Sequence, residues 1–244
     1  EPIYVPREDF EKNNEGKNYG CEDPRITKID DRFYMCYTAY DGHALPRVAI
    51  TSISVQEFLE RKWNWDTPKL ISPPGIDDKD ACLLSRKING RYAFLHRMQL
   101  CIWIDFVDSL EFPEGKILTG DIIIEPRPDK WDSNKIGIAA PPVETKDGWL
   151  LLYHGIDKDN RYSVGALLLD LENPKSVLAR LDYPVFTPET VYEKEGIIPN
   201  VVFPCGTVVL EGNLIIYYGG ADKVVGAANV ELSALLEELL RNKE

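Results

Sequence analysis

The stretch Thr145-Lys146-Asp147-Gly148-Trp149-Leu150-Leu151-Leu152-Tyr153-His154, followed after a polar gap by Tyr162-Ser163-Val164-Gly165-Ala166-Leu167-Leu168, decides the fold. It reads as a polar turn, an aromatic-rich strand and a small-residue strand. Asp147-Gly148 is a type I′ hairpin signal, because both central residues of that turn need φ > 0. Both runs are too apolar for a sheet with one wet face, so they are expected to lie buried between neighbouring sheets.

The same unit recurs along the chain at a spacing of roughly 60 residues, in the range of propeller blades and arrays. Upstream it appears as Ile29-Asp30-Asp31-Arg32-Phe33-Tyr34-Met35-Cys36-Tyr37 with Arg47-Val48-Ala49-Ile50-Thr51-Ser52. It appears again as Ile88-Asn89-Gly90-Arg91-Tyr92-Ala93-Phe94-Leu95-His96 with Cys101-Ile102-Trp103-Ile104, where Asn89-Gly90 repeats the hairpin signal. Downstream it is Glu211-Gly212-Asn213-Leu214-Ile215-Ile216-Tyr217-Tyr218-Gly219 with Val224-Val225-Gly226-Ala227-Ala228, whose strands are likewise too apolar for one wet face and are expected to be buried between sheets. Four such units predict an all-β propeller, with a two-sheet sandwich as the alternative. Helix is scarce until the end, where Leu232, Leu235, Leu236, Leu239 and Leu240 form an apolar stripe behind Ser233 as N-cap. A short C-terminal helix packed on the sheets is expected there.

At 244 residues the chain is read as one catalytic domain over 1–244, since all-β folds of this size often form a single domain. Hydrophobic residues make up 44% and charged residues 28%, a balance that excludes a disordered or collagen-like chain. No apolar run reaches the ~20 residues of a bilayer span, which excludes a helical membrane protein. A net charge of -12 argues against a nucleic-acid partner, because an acidic surface repels a phosphate backbone. Cys21, Cys36, Cys82, Cys101 and Cys205 are odd in number and lack metal-site spacing, so they read as reduced thiols and favour the cytoplasm. The chain begins at Glu1 without Met, and a processed or truncated start is expected. His43, His96 and His154 are far apart, and no metal site is expected.

In a propeller, polar residues at equivalent strand ends converge on the axis. Gly20-Cys21-Glu22-Asp23-Pro24-Arg25 supplies a carboxyl, and Pro24 is expected to hold Asp23 extended with its direction fixed, as a general acid requires. Asp78-Lys79-Asp80, His96-Arg97, Asn134-Lys135-Ile136-Gly137 and Tyr153-His154-Gly155 follow in successive units. Lys79, Arg97, Lys135 and His154 would ring a small anion, phosphate fitting best, although each alone reads as a solvated cation or core histidine. Asp222 could accept bonds from sugar hydroxyls, while Phe203 or Tyr218 could stack on a sugar face or belong to the core.

These residues carry a resemblance. Glu22-Asp23-Pro24-Arg25, Asp78-Lys79-Asp80-Ala81, Lys135-Ile136-Gly137, Tyr153-His154-Gly155 and Pro199-Asn200-Val201-Val202-Phe203-Pro204-Cys205 with Tyr217-Tyr218-Gly219-Gly220-Ala221-Asp222 resemble, in order, glycoside hydrolase family 130, the β-mannoside phosphorylases and related β-mannosidases. The resemblance implies a five-bladed β-propeller, with the N-terminal blade incomplete in this chain because only twenty-two residues precede Asp23. It implies inverting phosphorolysis of a mannose-containing oligosaccharide, with inorganic phosphate as co-substrate and no other cofactor. Asp23 would be the sole carboxyl acid, Lys79, Arg97 and Lys135 would hold phosphate beside His154, and Asp222, Phe203 and Tyr162 would bind sugar. A homo-oligomer follows by family analogy. Leu84-Ser85 and Met98 depart from the family pattern without removing a phosphate ligand.

The chemistry agrees with that implication: phosphate is already anionic and needs no second carboxylate to deprotonate it, unlike the water of an inverting hydrolase. A β-mannosidase on the same fold and a non-catalytic mannoside-binding propeller are the competing readings. Linkage and acceptor are not encoded in these motifs.

Overall fold

The computed structural model describes residues 1–12 and 19–241. A single 3-10 turn, Asp9–Glu11, precedes the first strand. The rest is built from four sheets in chain order, each an antiparallel meander of the propeller-blade type, plus two short helices and one longer one.

The first sheet is β1 (Gly20–Ile29), β2 (Arg32–Tyr40), β3 (Arg47–Ser54) and β4 (Lys69–Leu70), in that order, with α1 (Val55–Leu59) following β3. The second is β5 (Asp78–Leu83), β6 (Tyr92–Met98), β7 (Cys101–Val107) and β8 (Asp121–Ile124). The third holds β9 (Lys135–Ile138) and β10 (Val143–Thr145), both on β11 (Gly148–Ile156), then β12 (Tyr162–Leu169) and β13 (Val177–Arg180). After α2 (Val191–Lys194), the fourth is β14 (Val202–Leu210), β15 (Asn213–Gly220) and β16 (Val224–Glu231), and α3 (Leu232–Arg241) closes the chain. The aromatic runs of the repeat are the second strands and the small-residue runs the third.

The chain divides into two compact units, residues 1–99 with 103–121 and residues 100–102 with 122–244. In the first unit Ile29, Cys36, Val48, Ile50, Ile71, Leu83 and Phe94 form one core, and Met35, Tyr37, Ile53 and Trp65 a second. In the second unit one core gathers Leu150, Leu152, Val164, Leu168, Val202, Leu214 and Ile216 with Leu235, Leu236 and Leu239 of α3. Each such side chain contributes roughly 1.5–3 kcal/mol on burial. The helix therefore packs as its leucine stripe requires.

Four sheets account for all sixteen strands among the described residues, so a fifth blade is not among them. The turn chemistry is mixed. Asn89 and Gly90 have φ of 48° and 81°, and Ile88 and Arg91 exchange backbone hydrogen bonds of 2.8 and 3.0 Å, the type I′ hairpin that was expected. Glu211 and Gly212 (49° and 79°) adopt the same geometry. At the third unit only Gly148 has positive φ (149°), because Thr145 pairs with Gly148 and the turn is Lys146-Asp147. An added Cβ there would lie 2.5 Å from the Leu169 carbonyl oxygen, so the glycine answers close packing as well.

Two further expectations are corrected. Every residue of β11 is buried, but β15 alternates, with Leu214, Ile216 and Tyr218 inside and Tyr217 exposed; no strand lies beyond β16 among the described residues. Ser233 is not the N-cap of α3. The strand runs through Glu231 and the helix begins at Leu232, whose N–H bonds the Gly212 carbonyl at 2.9 Å.

Candidate active site

In the first unit the candidate residues lie on the first two strands of each sheet. Asp23 sits in β1 where the register shifts between Glu22 and Arg25: Glu22 pairs with Thr38 and Arg25 with Cys36, leaving Asp23 and Pro24 opposite Tyr37 alone. This is a β-bulge, and its first residue takes a left-handed backbone, φ 53°. The expectation that Pro24 holds Asp23 extended is therefore wrong. Proline disfavours only the right-handed α region before it, and the bulge selects the left-handed one. A non-glycine residue held there costs of order 1–3 kcal/mol, a strain typical of functional sites.

The same bulge recurs in the second sheet. Lys79 pairs with Arg97 and Cys82 with Leu95, so Asp80 and Ala81 oppose His96, and Asp80 has φ 54°. Two cations, Lys79 and Arg97, are thus directly opposite across β5 and β6, an arrangement that repels unless anions compensate. The compensation is visible. Lys79 Nζ lies 3.0 Å from Glu22 Oε2, and the buried Arg97 lies 3.4 Å from Asp80 through Nε and 3.9 Å from Asp77 through Nη2. Arg25, fully buried, donates to the Asp23 backbone carbonyl at 2.8 Å and pairs with Asp80 at 3.4 Å. Beneath them His96 Nδ1 sits 3.0 Å from both oxygens of Asp78, both residues wholly buried.

This setting changes the Asp23 carboxyl. Burial, and next the charge of Asp80, push its pKa up to about 6, against the pull of Arg25 and Lys79; Glu22 adds a smaller upward push. A carboxyl titrating there is protonated in a useful fraction near neutral pH and can donate its proton, the pattern of a general acid.

In the second unit Lys135 opens β9 opposite Ile156, and His154 stands in β11 opposite Gly137. His154 is fully buried, its ring 4.5 Å from that of Phe203 and 6.0 Å from that of Tyr162. Tyr162 bridges to Val201, and the Ala221 N–H bonds the Val201 carbonyl at 3.0 Å. The exposed Asp222, φ 53°, consequently lies at the same end of these strands as Tyr162 and Phe203. Tyr218 is core, as its alternative reading had it: its hydroxyl donates to buried Glu193 at 2.6 Å.

A buried network that sequence reasoning missed supports this half. Asp132, wholly buried and three residues before Lys135, accepts from Arg127 Nη2 (2.9 Å), Arg180 Nη2 (2.6 Å) and the hydroxyl of Tyr153 (2.8 Å), the residue before His154. Asp78, Asp80 and Arg25 were likewise not singled out as partners, because their ion pairs span 17 to 55 residues of sequence. Among the described residues no group of three or more His, Cys, Asp or Glu side chains is placed to hold a metal ion, and no helix is long and apolar enough to cross a membrane.

The profile of glycoside hydrolase family 130, described as β-1,4-mannooligosaccharide phosphorylase, matches residues 3–241. The chain belongs to this family. Among its relatives, the 1,2-β-oligomannan phosphorylase of Thermoanaerobacter sp. is 43% identical over 213 residues, 87% of this chain and 69% of that protein. The solved Listeria innocua β-1,2-mannobiose phosphorylase, in complex with β-1,2-mannobiose, superposes with a TM-score of 0.83 at 30% identity, covering 98% of this chain and 64% of that one. A further family 130 structure (TM-score 0.77, 25% identity, 95% of this chain and 70% of that one) comes from work describing glycoside hydrolases in the family that target β-1,2 mannosidic linkages in Candida mannan. The chain thus spans about two thirds of the length of these proteins.

Proposed function

We propose that this chain carries out inverting phosphorolysis of β-mannosides, releasing α-mannose 1-phosphate and the shortened sugar. The observation that carries the reading is the opposed Lys79–Arg97 pair beside a carboxyl, Asp23, raised to about 6. Asp23 gives its proton to the bridging oxygen as the glycosidic C–O bond breaks. A phosphate oxygen attacks the anomeric carbon from the opposite face, which inverts its configuration. Lys79 and Arg97 orient the phosphate and offset its charge, a role that the family resemblance gives to Lys135 and His154 as well. Phe203 and Tyr162 offer faces for sugar stacking, and Asp222 an acceptor for hydroxyls.

The relatives favour a β-1,2 linkage, since the 43% identical protein and the TM-score 0.83 structure are both named for it. Closure as a five-bladed propeller, catalysis by 1–244 as one domain and assembly as a homo-oligomer are part of the same proposal. Five cysteines that are all free are consistent with a reducing compartment, hence the cytoplasm.

A hydrolase is the second reading, favoured by the family's mannan-targeting members. An inverting hydrolase needs a carboxylate base for water, roughly 6.5–9.5 Å from the acid. Asp80, the nearest counterpart of Asp23, is instead paired with two guanidinium groups. The test is to incubate the protein with β-1,2 and β-1,4 mannosides, with and without inorganic phosphate, and to assay mannose 1-phosphate and free mannose. Phosphate-dependent mannose 1-phosphate from β-1,2 substrates is expected. Free mannose alone would make it a hydrolase, and binding without turnover a mannoside-binding protein.

A further inference from the structure

Asp23 and Asp80 are structural counterparts. Each is the first residue of a bulge in the first strand of its sheet, with φ of 53° and 54°, two residues opposite one. The motifs around them, Glu22-Asp23-Pro24-Arg25 and Lys79-Asp80-Ala81-Cys82, differ in what reaches the carboxyl. Asp80 is nearly sealed from solvent and held between Arg25 on one oxygen and Arg97 on the other, both at 3.4 Å. Asp23 has neither clamp on its carboxyl, because Arg25 donates to its backbone carbonyl instead. One bulge therefore fixes an anion and the other leaves an acid.

We propose that Asp80 is a positioning residue for this reaction: a fixed carboxylate that locks Arg25 and the phosphate ligand Arg97 and stands as a like charge to Asp23. The inference rests on the reading of Asp23 as the acid. The charged groups facing Asp23 are Glu22 and Arg25 from its own strand and Lys79 and Asp80 from β5. Burial is the largest cause of the raised Asp23 carboxyl and Asp80 the next, while Arg25 and Lys79 favour its ionised form, so without Asp80 the cations would be opposed mainly by burial and the proton would leave at lower pH. The protein thus sets a carboxylate against the cations that phosphate requires. Two identical side chains take opposite roles through their surroundings.

The experiment is a pH–rate profile at saturating phosphate for the native chain, Asp80→Asn and Asp80→Glu. In Asp80→Asn the alkaline limb of kcat should move to lower pH by roughly one unit, as loss of a nearby like charge dictates. That is about a tenfold loss above both limbs and little loss below them. Asp80→Glu, which keeps the charge, should keep the limb in place. A loss of equal factor at every pH, or an unmoved limb in Asp80→Asn, would overturn the proposal and leave Asp80 structural. If Asp80→Asn does not fold, carboxyl carbon-13 NMR of the native chain and of Asp80→Glu decides, with Asp23 assigned by its absence in Asp23→Asn. The Asp23 resonance should titrate at the same pH in both chains; a midpoint displaced in Asp80→Glu would refute the proposal. Retained turnover in Asp23→Asn is a different failure, that of the acid assignment itself.

Discussion

Replacing Asp23 by Asn should make the protein more stable at neutral pH while abolishing turnover. The magnitude follows from its raised carboxyl, at about 6 against an ordinary 3.8. A shift of one unit is worth about 1.4 kcal/mol, so roughly two units correspond to ~3 kcal/mol. The folded state holds the Asp23 proton more tightly than the unfolded chain does. Stability from this group is therefore fully present below about pH 4 and is lost as pH rises through about 6. Asn, of the same shape and uncharged, removes that dependence. Above pH 7 the variant should gain up to ~3 kcal/mol, which for a chain of this size is about 6–12 °C in Tm. Below pH 4 the two proteins should melt together. The backbone bond from Arg25 to residue 23 survives the change, so little else is disturbed. Thermal melts followed by tryptophan fluorescence at pH 4, 6 and 8 provide the assay. A variant no more stable than wild type at pH 8, or a gap of equal size at pH 4 and pH 8, would refute the reasoning. The expected gain is a stability–function exchange, an acid maintained in a setting that costs the fold free energy.

Lys79→Ala should raise KM for phosphate by roughly tenfold to hundredfold, the worth of one or two hydrogen bonds to a charged group, with less effect on mannoside KM; an unchanged phosphate dependence would dismantle the anion site. Asp132→Ala leaves Arg127 and Arg180 without their buried partner and should cost about 3–5 kcal/mol, read as a fall in Tm; a loss below about 1 kcal/mol would mean Asp182, which also pairs with Arg127, already compensates. Gly165→Ala would set a Cβ 2.6 Å from the Tyr153 ring and the Trp131 indole, and should destabilise by about 1–3 kcal/mol, with wild-type stability showing that the stacked pair can move apart.

The blades were legible because their signals are local. Asn89-Gly90 dictates its hairpin whatever surrounds it, and the unbroken apolar run Trp149-Leu150-Leu151-Leu152-Tyr153 forces burial on both faces of its strand. Where the outcome depended on packing, the reading slipped. Gly148 was read as half of a type I′ pair but serves a close approach to Leu169, and the strand containing Leu214 and Ile216 kept one exposed face because no strand follows β16 among the described residues. The candidate site divides in the same way. Residue types mark out Asp23, Lys79, Arg97 and His154, yet nothing in the two bulge motifs says which aspartate is the acid. Their backbones are the same to within a degree of φ, and both are followed by a small or cyclic residue, Pro24 or Ala81. What separates them is Arg25, which bends away from the carboxyl two residues before it and reaches a carboxyl 55 residues ahead. The roles of these carboxyls are therefore set by pairing between the first strands of successive sheets, a property of three-dimensional register that spacing along one chain does not carry.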